Sequence, residues 1–317
     1  MIRSMGFSNS TSLSWQGKLL KLLLRLRGNY NRHFAGNSIE SHRSSLEYLA
    51  EFFKTAQVYK RKAVDVDGVA AEWITIPGSS TKTTILYLHG GGYSGGSLST
   101  HRSLVVEIAK VSRARALLIA YRLAPEHCYP APVEDALTAY QWLLSNGIQP
   151  EDIVIAGDSA GGGLTLALLI ALRDNAFHMP ACAVCLSPWT DLTGSGESLV
   201  TCAGKDIFID PSAIKPAAAV YLGGADPRSP LASPLFADLH GLPPVLIQVG
   251  SDEVLLSDST SFAERAQAAG VEVTLEVWKN MQHVWQFAAR YLPEARQAIG
   301  GIGEFIAEKL NGYDKME

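Results

Sequence analysis

Ile153-Val154-Ile155-Ala156-Gly157-Asp158-Ser159-Ala160-Gly161-Gly162-Gly163-Leu164-Thr165-Leu166-Ala167-Leu168-Leu169-Ile170 runs from an apolar stretch through a glycine-flanked serine into a helix-forming stretch. The apolar residues read as a buried strand and Leu164–Ile170 as a helix, so Gly157–Gly161 is a G-x-S-x-G turn in a strand–turn–helix context. A turn this sharp brings two chain segments within a side chain of each other, and glycines on both sides of the serine remove the clash. The hydroxyl of Ser159 is then held above the sheet at a helix N-terminus, where backbone N–H groups are free. Such a serine is a candidate nucleophile.

Working outward from this turn, apolar runs alternate with helical patterns. Strands are expected at Thr83–Leu88, Ala116–Ala120, Ile153–Ala156, Ala181–Leu186, Val245–Val249 and Val271–Val277, with helices at about His101–Val111, Val133–Ser145, Leu164–Asp174 and Ser257–Ala269. Strands apolar on both faces and separated by helices make a mostly parallel sheet with helices on both faces, an α/β fold. Before it, Ala63–Val66 and Ala71–Ile76 flank Asp67-Gly68, a pair that favours a primed hairpin turn. The alternation breaks between Ser187 and Pro243, a stretch rich in Gly, Pro and Ser with one helix-like segment, Pro211–Tyr221. This insertion and the first 55 residues are the natural material for a lid over the sheet.

The bulk properties of the 317 residues bound the function classes. Hydrophobic residues make up 47% and charged ones 18%, enough apolar material for a large buried sheet, and a net charge of −4 leaves no basic footprint for nucleic acid. No apolar run approaches the ~20 residues of a membrane span. Cys182 and Cys185, three apart in the run Ala181–Leu186, point to opposite faces of a strand. Buried thiols of this kind fit a reducing, cytoplasmic location. In the leucine-rich stretch from Leu19 to Arg27, Lys18, Lys21 and Arg25 share one helical face. The leucines opposite are expected to cover apolar surface of the same molecule; the rival is a helix lying on a membrane surface.

A serine hydroxyl needs a base within hydrogen-bond reach and a third group to orient that base. In an α/β-hydrolase the chain order is serine, acid, histidine. His178 follows Ser159 too closely, and His240 precedes a strand, at its wrong end for a site on the C-terminal edge of the sheet. His283, in the loop after Val271–Val277, fills the slot. The acid should leave the end of the preceding strand, and Val245–Asp252 supplies Asp252 there. Glu253 and Asp258 compete, but Glu253 is expected to point elsewhere and Asp258 to complement the first turn of the next helix. His89-Gly90-Gly91-Gly92-Tyr93 directly follows a strand; without a Walker lysine or a G-x-G-x-x-G helix start, its glycines suit an oxyanion better than a phosphate.

His89–Gly92, Tyr121-Arg122-Leu123-Ala124-Pro125-Glu126-His127, Gly157–Gly162 and Ser187-Pro188-Trp189-Thr190-Asp191-Leu192 together resemble the hormone-sensitive-lipase family of bacterial carboxylesterases, over residues 60 to 310 or so. The resemblance implies an α/β-hydrolase fold: an eight-stranded, mostly parallel sheet with a helical cap. It implies a Ser159–Asp252–His283 triad, oxyanion donors at Gly91, Gly92 and Ala160, and a bracing role for Tyr121–His127. The expected division is residues 1–55 and 189–222 for the cap, and 56–188 and 223–317 for the catalytic domain. Two sites depart from the family: Asn280 replaces the usual Gly, and Ser94-Gly95 replace bulkier residues, which is expected to leave a roomier pocket. The implied activity is hydrolysis of short- to medium-chain acyl esters through an acyl-enzyme, with no metal or organic cofactor. The same triad could instead serve an amidase or deacetylase. A non-catalytic receptor of this fold, like the plant gibberellin receptor, lacks the histidine that His283 supplies here. A homodimer through the edge strand 271–277 is a further expectation.

Overall fold

The computed structural model describes residues 13–28 and 38–313. Its centre is an eight-stranded sheet in the order β1-β2-β4-β3-β5-β6-β7-β8. β1 (Lys60–Val66) and β2 (Val69–Thr75) are the expected hairpin, and Asp67 and Gly68 between them have φ of 50° and 93°, the positive pair a type I′ turn requires. β2 pairs antiparallel with β4 (Arg115–Ile119); from there β3 (Thr84–Leu88), β5 (Ile153–Asp158), β6 (Cys182–Leu186), β7 (Val245–Gly250) and β8 (Val273–Trp278) are parallel.

Two apolar cores, one on each face, hold the sheet between layers of helices. One face packs on α4 (Ala131–Ser145), α5 (Ala160–Asp174) and α8 (Leu256–Ala268), the other on α3 (Leu98–Val111) and α9 (Pro293–Tyr313). Strand periodicity decides which residue joins which core: in β3, Leu86 and Leu88 belong to the first, Ile85 and Tyr87 to the second. Cys182 and Cys185 divide the same way and both are buried free thiols. Each fully buried aliphatic side chain contributes about 1.5–3 kcal/mol of apolar burial, and β3, β5, β6 and β7 are buried along their whole length. The order 4-3-5-6-7-8 puts β5 in mid-sheet, so its C-terminal end, carrying Ser159, opens at the centre of one rim.

α9 was not legible in the sequence, because Gly300, Gly301 and Gly303 dilute its periodicity. Gly303 has a packing reason: a Cβ there would lie 2.8 Å from the Val111 carbonyl oxygen at the end of α3. On the rim above β5 lie α1 (Trp15–Gly28), α2 (Ile39–Phe52) and, beyond the short α6 (Ser198–Thr201) of the insertion, α7 (Pro211–Leu222). α1 reverses the expected orientation in part. Gly17, Leu20 and Lys21 face inward, whereas Leu19, Leu22 and Leu23 are about half exposed. The side chain of Arg25 lies outside the described residues, as do residues 1–12 and 29–37 of the expected N-terminal cap. Among the described residues no helix is long and apolar enough to cross a membrane.

Candidate active site

Ser159 stands between β5 and α5 with φ 53° and ψ −121°, a conformation sparsely populated by non-glycine residues. Its carbonyl accepts from Gly163 and Trp189 and its N–H donates to Leu186, so neighbouring backbone holds the turn on both sides. The flanking glycines are sterically required. A Cβ on Gly157 would lie 2.7 Å from the Leu88 carbonyl oxygen, and one on Gly161 2.7 Å from the His89 carbonyl carbon. The Ser159 turn is therefore pressed against the start of the His89–Tyr93 loop. As the first residue of α5, Ala160 has an N–H with no intrahelical acceptor.

Gly91 and Gly92 have φ of 119° and 63°, and both line the same cavity as Ser159. Their loop is fixed from several sides. Tyr121 Oη donates to the His89 carbonyl (2.5 Å) and the Ala124 N–H to the Tyr93 carbonyl (2.9 Å), so Tyr121–His127 does brace the loop. From α2, Arg43 donates through Nε to the Ser94 carbonyl and through its terminal nitrogens to the Ala124 carbonyl and the Glu126 carboxylate. The Tyr93 ring stacks on Tyr221 of α7, centroids 3.7 Å apart and planes within 7°.

Of the room expected beside Ser94 and Gly95, Ser94 does line the cavity, but none opens beside Gly95. α2 fills that space: a Cβ on Gly95 would lie 2.8 Å from Leu46 Cδ1 and 2.9 Å from the His42 ring. Gly95 is small because a helix rests on it, and the pocket extends elsewhere.

His283 lines the cavity from the loop after β8, where Asn280 takes the left-handed conformation (φ 62°) that the usual glycine would adopt. The expected acid is corrected by the geometry. Glu253, not Asp252, meets His283: its Oε2 lies 2.6 Å from Nδ1, and the carboxylate is completely buried. Oε1 accepts from the Gly250 N–H (2.5 Å) and the Ser187 hydroxyl (2.9 Å), which fixes the carboxylate plane. Asp252 points the other way, paired with Lys21 of α1 at 2.5 Å. The strand ends at Gly250 and the chain turns immediately, so the first acidic side chain after β7 faces the rim helices and the second turns beneath His283. Asp258, the other competitor, is buried and accepts from the N–H groups of Thr190 (2.8 Å) and Asp191 (2.9 Å), pinning the start of the insertion. Burial pushes its carboxyl up to about 7. His240 pairs with Asp238 on the surface, outside the cavity.

Asp206, which no sequence signal marked, lies in the cavity wall. It accepts from the N–H groups of Phe208, Ile209 and Val254, and burial raises its pKa. For His283 burial works against the charged form, but the hydrogen bond and charge of Glu253, with the charges of Asp206 and Asp158, outweigh it and raise the pKa above the ordinary histidine value.

The cavity has a volume of about 1050 Å³. Ser159, His283, Gly91 and Gly92 form its floor; Leu20, Leu46, Leu49 and Phe53 from α1, α2 and the end of α2, with Phe208 and Ile214 from the insertion, make much of the wall apolar. A nucleophilic hydroxyl, a histidine oriented by a buried carboxylate and a bank of backbone N–H groups on one apolar chamber can perform acyl transfer.

The family profile of the alpha/beta hydrolase fold matches residues 85–287. The chain is 44% identical to an acetyl-hydrolase of Streptomyces hygroscopicus over 276 residues, 87% of this chain and 92% of that one. It is 38% identical to an esterase of Acinetobacter venetianus, covering 90% of this chain and 93% of that one. Among solved structures, an esterase from the bacterial hormone-sensitive lipase family superposes with a TM-score of 0.89 at 44% identity, over 95% of this chain and 100% of that one. The esterase EstE5, soaked with p-nitrophenyl butyrate, superposes with a TM-score of 0.88 at 45% identity, over 94% and 99%.

Proposed function

The chain is a carboxylic ester hydrolase of the bacterial hormone-sensitive-lipase family, and from that premise we propose that it cleaves short- to medium-chain acyl esters through a Ser159–His283–Glu253 triad and an acyl-enzyme. The observation that carries this reading is the 2.6 Å contact of His283 Nδ1 with a buried carboxylate, on a cavity that Ser159 also lines. Glu253 accepts a hydrogen bond from Nδ1–H, which keeps that proton on Nδ1 and leaves Nε2 bare to take the proton of the Ser159 hydroxyl as Oγ attacks the ester carbonyl. The N–H groups of Gly91, Gly92 and Ala160 receive the developing oxyanion, commonly the largest single contribution to such catalysis. His283 then protonates the leaving alcohol. Water attacks the acyl-enzyme with His283 again as base, and Ser159 is released.

The acyl preference is supported by the chamber. Its apolar wall rewards each buried methylene by about 0.8 kcal/mol until the wall ends. The described parts of residues 1–55, with 189–222, form the cap in this reading, and the described remainder the catalytic domain. The outer edge of β8, last strand of the sheet, is the surface for a homodimer. The free thiols favour a cytoplasmic location.

The test is Ser159→Ala with a series of p-nitrophenyl esters of increasing acyl length. A fall in kcat on the order of a million-fold is expected, as for loss of a triad nucleophile, with cooperative unfolding unchanged and stoichiometric labelling by a fluorophosphonate abolished. The wild-type profile should rise and then fall with acyl length. Activity within tenfold of wild type in Ser159→Ala removes Ser159 as nucleophile, and a preference for long-chain triglyceride emulsions over butyrate esters removes the substrate class.

A further inference from the structure

Two consecutive residues of the insertion hold the chain on either side of the contact between His283 and Glu253. Asp206, which is buried, divides its carboxylate between two segments. Oδ1 accepts from the N–H groups of Phe208 (2.8 Å) and Ile209 (2.9 Å), which closes a turn within the insertion. Oδ2 accepts from the N–H of Val254 (2.9 Å), the residue that follows Glu253. The next residue, Ile207, donates its N–H to Oε1 of Gln282 (2.9 Å), the residue that precedes His283.

The insertion also takes the other backbone group of Val254: the Ser198 hydroxyl of α6 donates to its carbonyl (2.5 Å). Cys202 Sγ approaches the Ser251 carbonyl (3.6 Å), so the 251–254 turn is gripped at both ends. Val254 and Glu253 are fully buried, where a backbone N–H that loses its partner is costly. The two loops are joined elsewhere too. The Asn280 N–H meets the Ser251 hydroxyl (2.8 Å), the Asp252 N–H the Met281 carbonyl (3.1 Å), and the Ser187 hydroxyl bridges the Val284 N–H to Glu253. Against that frame the insertion adds its hold at Val254 and Gln282, the residues that flank the acid and the base. Asp206, Ile207, Phe208 and Ile209 all line the cavity, so the wall that meets substrate and the hold on the two loops are one turn. Keeping a carboxylate ionised there is costly, since burial raises its pKa, and the three N–H donors offset that cost.

We infer that Asp206 is a positioning residue and that, with the Ile207 N–H, it staples the Glu253 turn to the His283 loop and so keeps the carboxylate on Nδ1. The inference rests on the acyl-transfer reading for its effect on rate. Asp206→Asn isolates the staple. Two N–H donors converge on Oδ1, so the amide oxygen stays with them and the NH₂ group is turned on the Val254 N–H, donor against donor. The turn within the insertion survives, and the bond to the residue after Glu253 is lost.

The measurement is kcat and KM for p-nitrophenyl butyrate, with kcat expressed per site labelled by a fluorophosphonate so that unfolded protein does not count. In Asp206→Asn kcat should fall by about tenfold to a hundredfold, the scale of a ~1 Å misplacement, with KM within about threefold. Gln282→Met cuts the other half of the staple without changing charge, so its loss of kcat reports position rather than the field at His283. Because both halves act on one contact, the double variant should lose less than the product of the two single losses. Asp206→Asn with kcat within about threefold of wild type overturns the inference, as does a loss confined to KM, which makes the turn pocket wall only. If Asp206→Asn does not fold, the same two results in Gln282→Met overturn it. Losses that simply multiply overturn the single staple. Failure of the acyl-transfer reading itself appears separately, as absence of labelling at Ser159 in the wild type.

Discussion

Replacing Glu253 by glutamine should damage turnover far more than replacing Asp252 by asparagine, and the hydrogen bonds say why. Two donors, the Gly250 N–H at 2.5 Å and the Ser187 hydroxyl at 2.9 Å, converge on Oε1 of Glu253. In Glu253→Gln the amide oxygen has to stay there, so the NH₂ group is turned toward Nδ1 of His283. An N–H at that place forces the imidazole proton onto Nε2, the nitrogen that should be bare to accept from Ser159. The analogous wrong-tautomer substitution in trypsin costs roughly four orders of magnitude in kcat, or about 5.5 kcal/mol of barrier. The same change removes the hydrogen bond and charge that raise the His283 pKa. Since the neutral imidazole is the base, kcat/KM falls as pH drops through that pKa, and the acid limb of Glu253→Gln should lie at lower pH than in the wild type. Asp252→Asn loses only a partly buried ion pair with Lys21, and its kcat should stay within about tenfold. Stopped-flow hydrolysis of a p-nitrophenyl ester across pH 5 to 9 or so reads both quantities. If Asp252→Asn proves the slower enzyme, the orientation of the 251–254 turn described here is wrong.

Gly95→Leu should lower kcat/KM for all acyl lengths in parallel, because the new side chain displaces α2 from the His89–Tyr93 loop; overpacking of this kind costs about 1–3 kcal/mol of stability, and a selective loss of long-chain esters alone would contradict it. Asp258→Ala strands the buried N–H groups of Thr190 and Asp191, each worth about 1–3 kcal/mol, and denaturant unfolding should register the sum. Because the folded Asp258 carboxyl is raised to about 7, above its unfolded value, the folded state binds the extra proton and wild-type stability should decline as pH rises from about 4 toward 7; Asp258→Asn should flatten that slope.

Much of the molecule is legible from periodicity and glycine placement. The alternating apolar runs located every parallel strand to within a few residues, and the G-x-S-x-G turn located the mid-sheet elbow, because both follow from local geometry. The acid did not yield to the same reasoning. Asp252 and Glu253 are adjacent, and which of them faces His283 depends on how tightly the chain turns after Gly250 and on a salt bridge to Lys21, 231 residues away in sequence. Lys21 itself was misread, since an amphipathic pattern shows which residues share a face but not which face meets the protein. Gly95 misled for a related reason: a small residue reports that something lies close, and only the fold reveals that α2, not substrate, is the neighbour.

The Tyr93–Tyr221 stack constrains how such a cavity can be rebuilt. One ring follows Gly91 and Gly92 and the other belongs to the insertion helix, so two segments 128 residues apart share a single flat contact. Grafting a different insertion onto this scaffold to change substrate range therefore transfers a support of the catalytic loop along with the pocket wall. A chimera that keeps an aromatic ring at the position of Tyr221 should inherit the donor's selectivity at nearly undiminished turnover. One that places an aliphatic side chain there should acquire the new selectivity in a slower enzyme, and a screen scoring only rate would discard it.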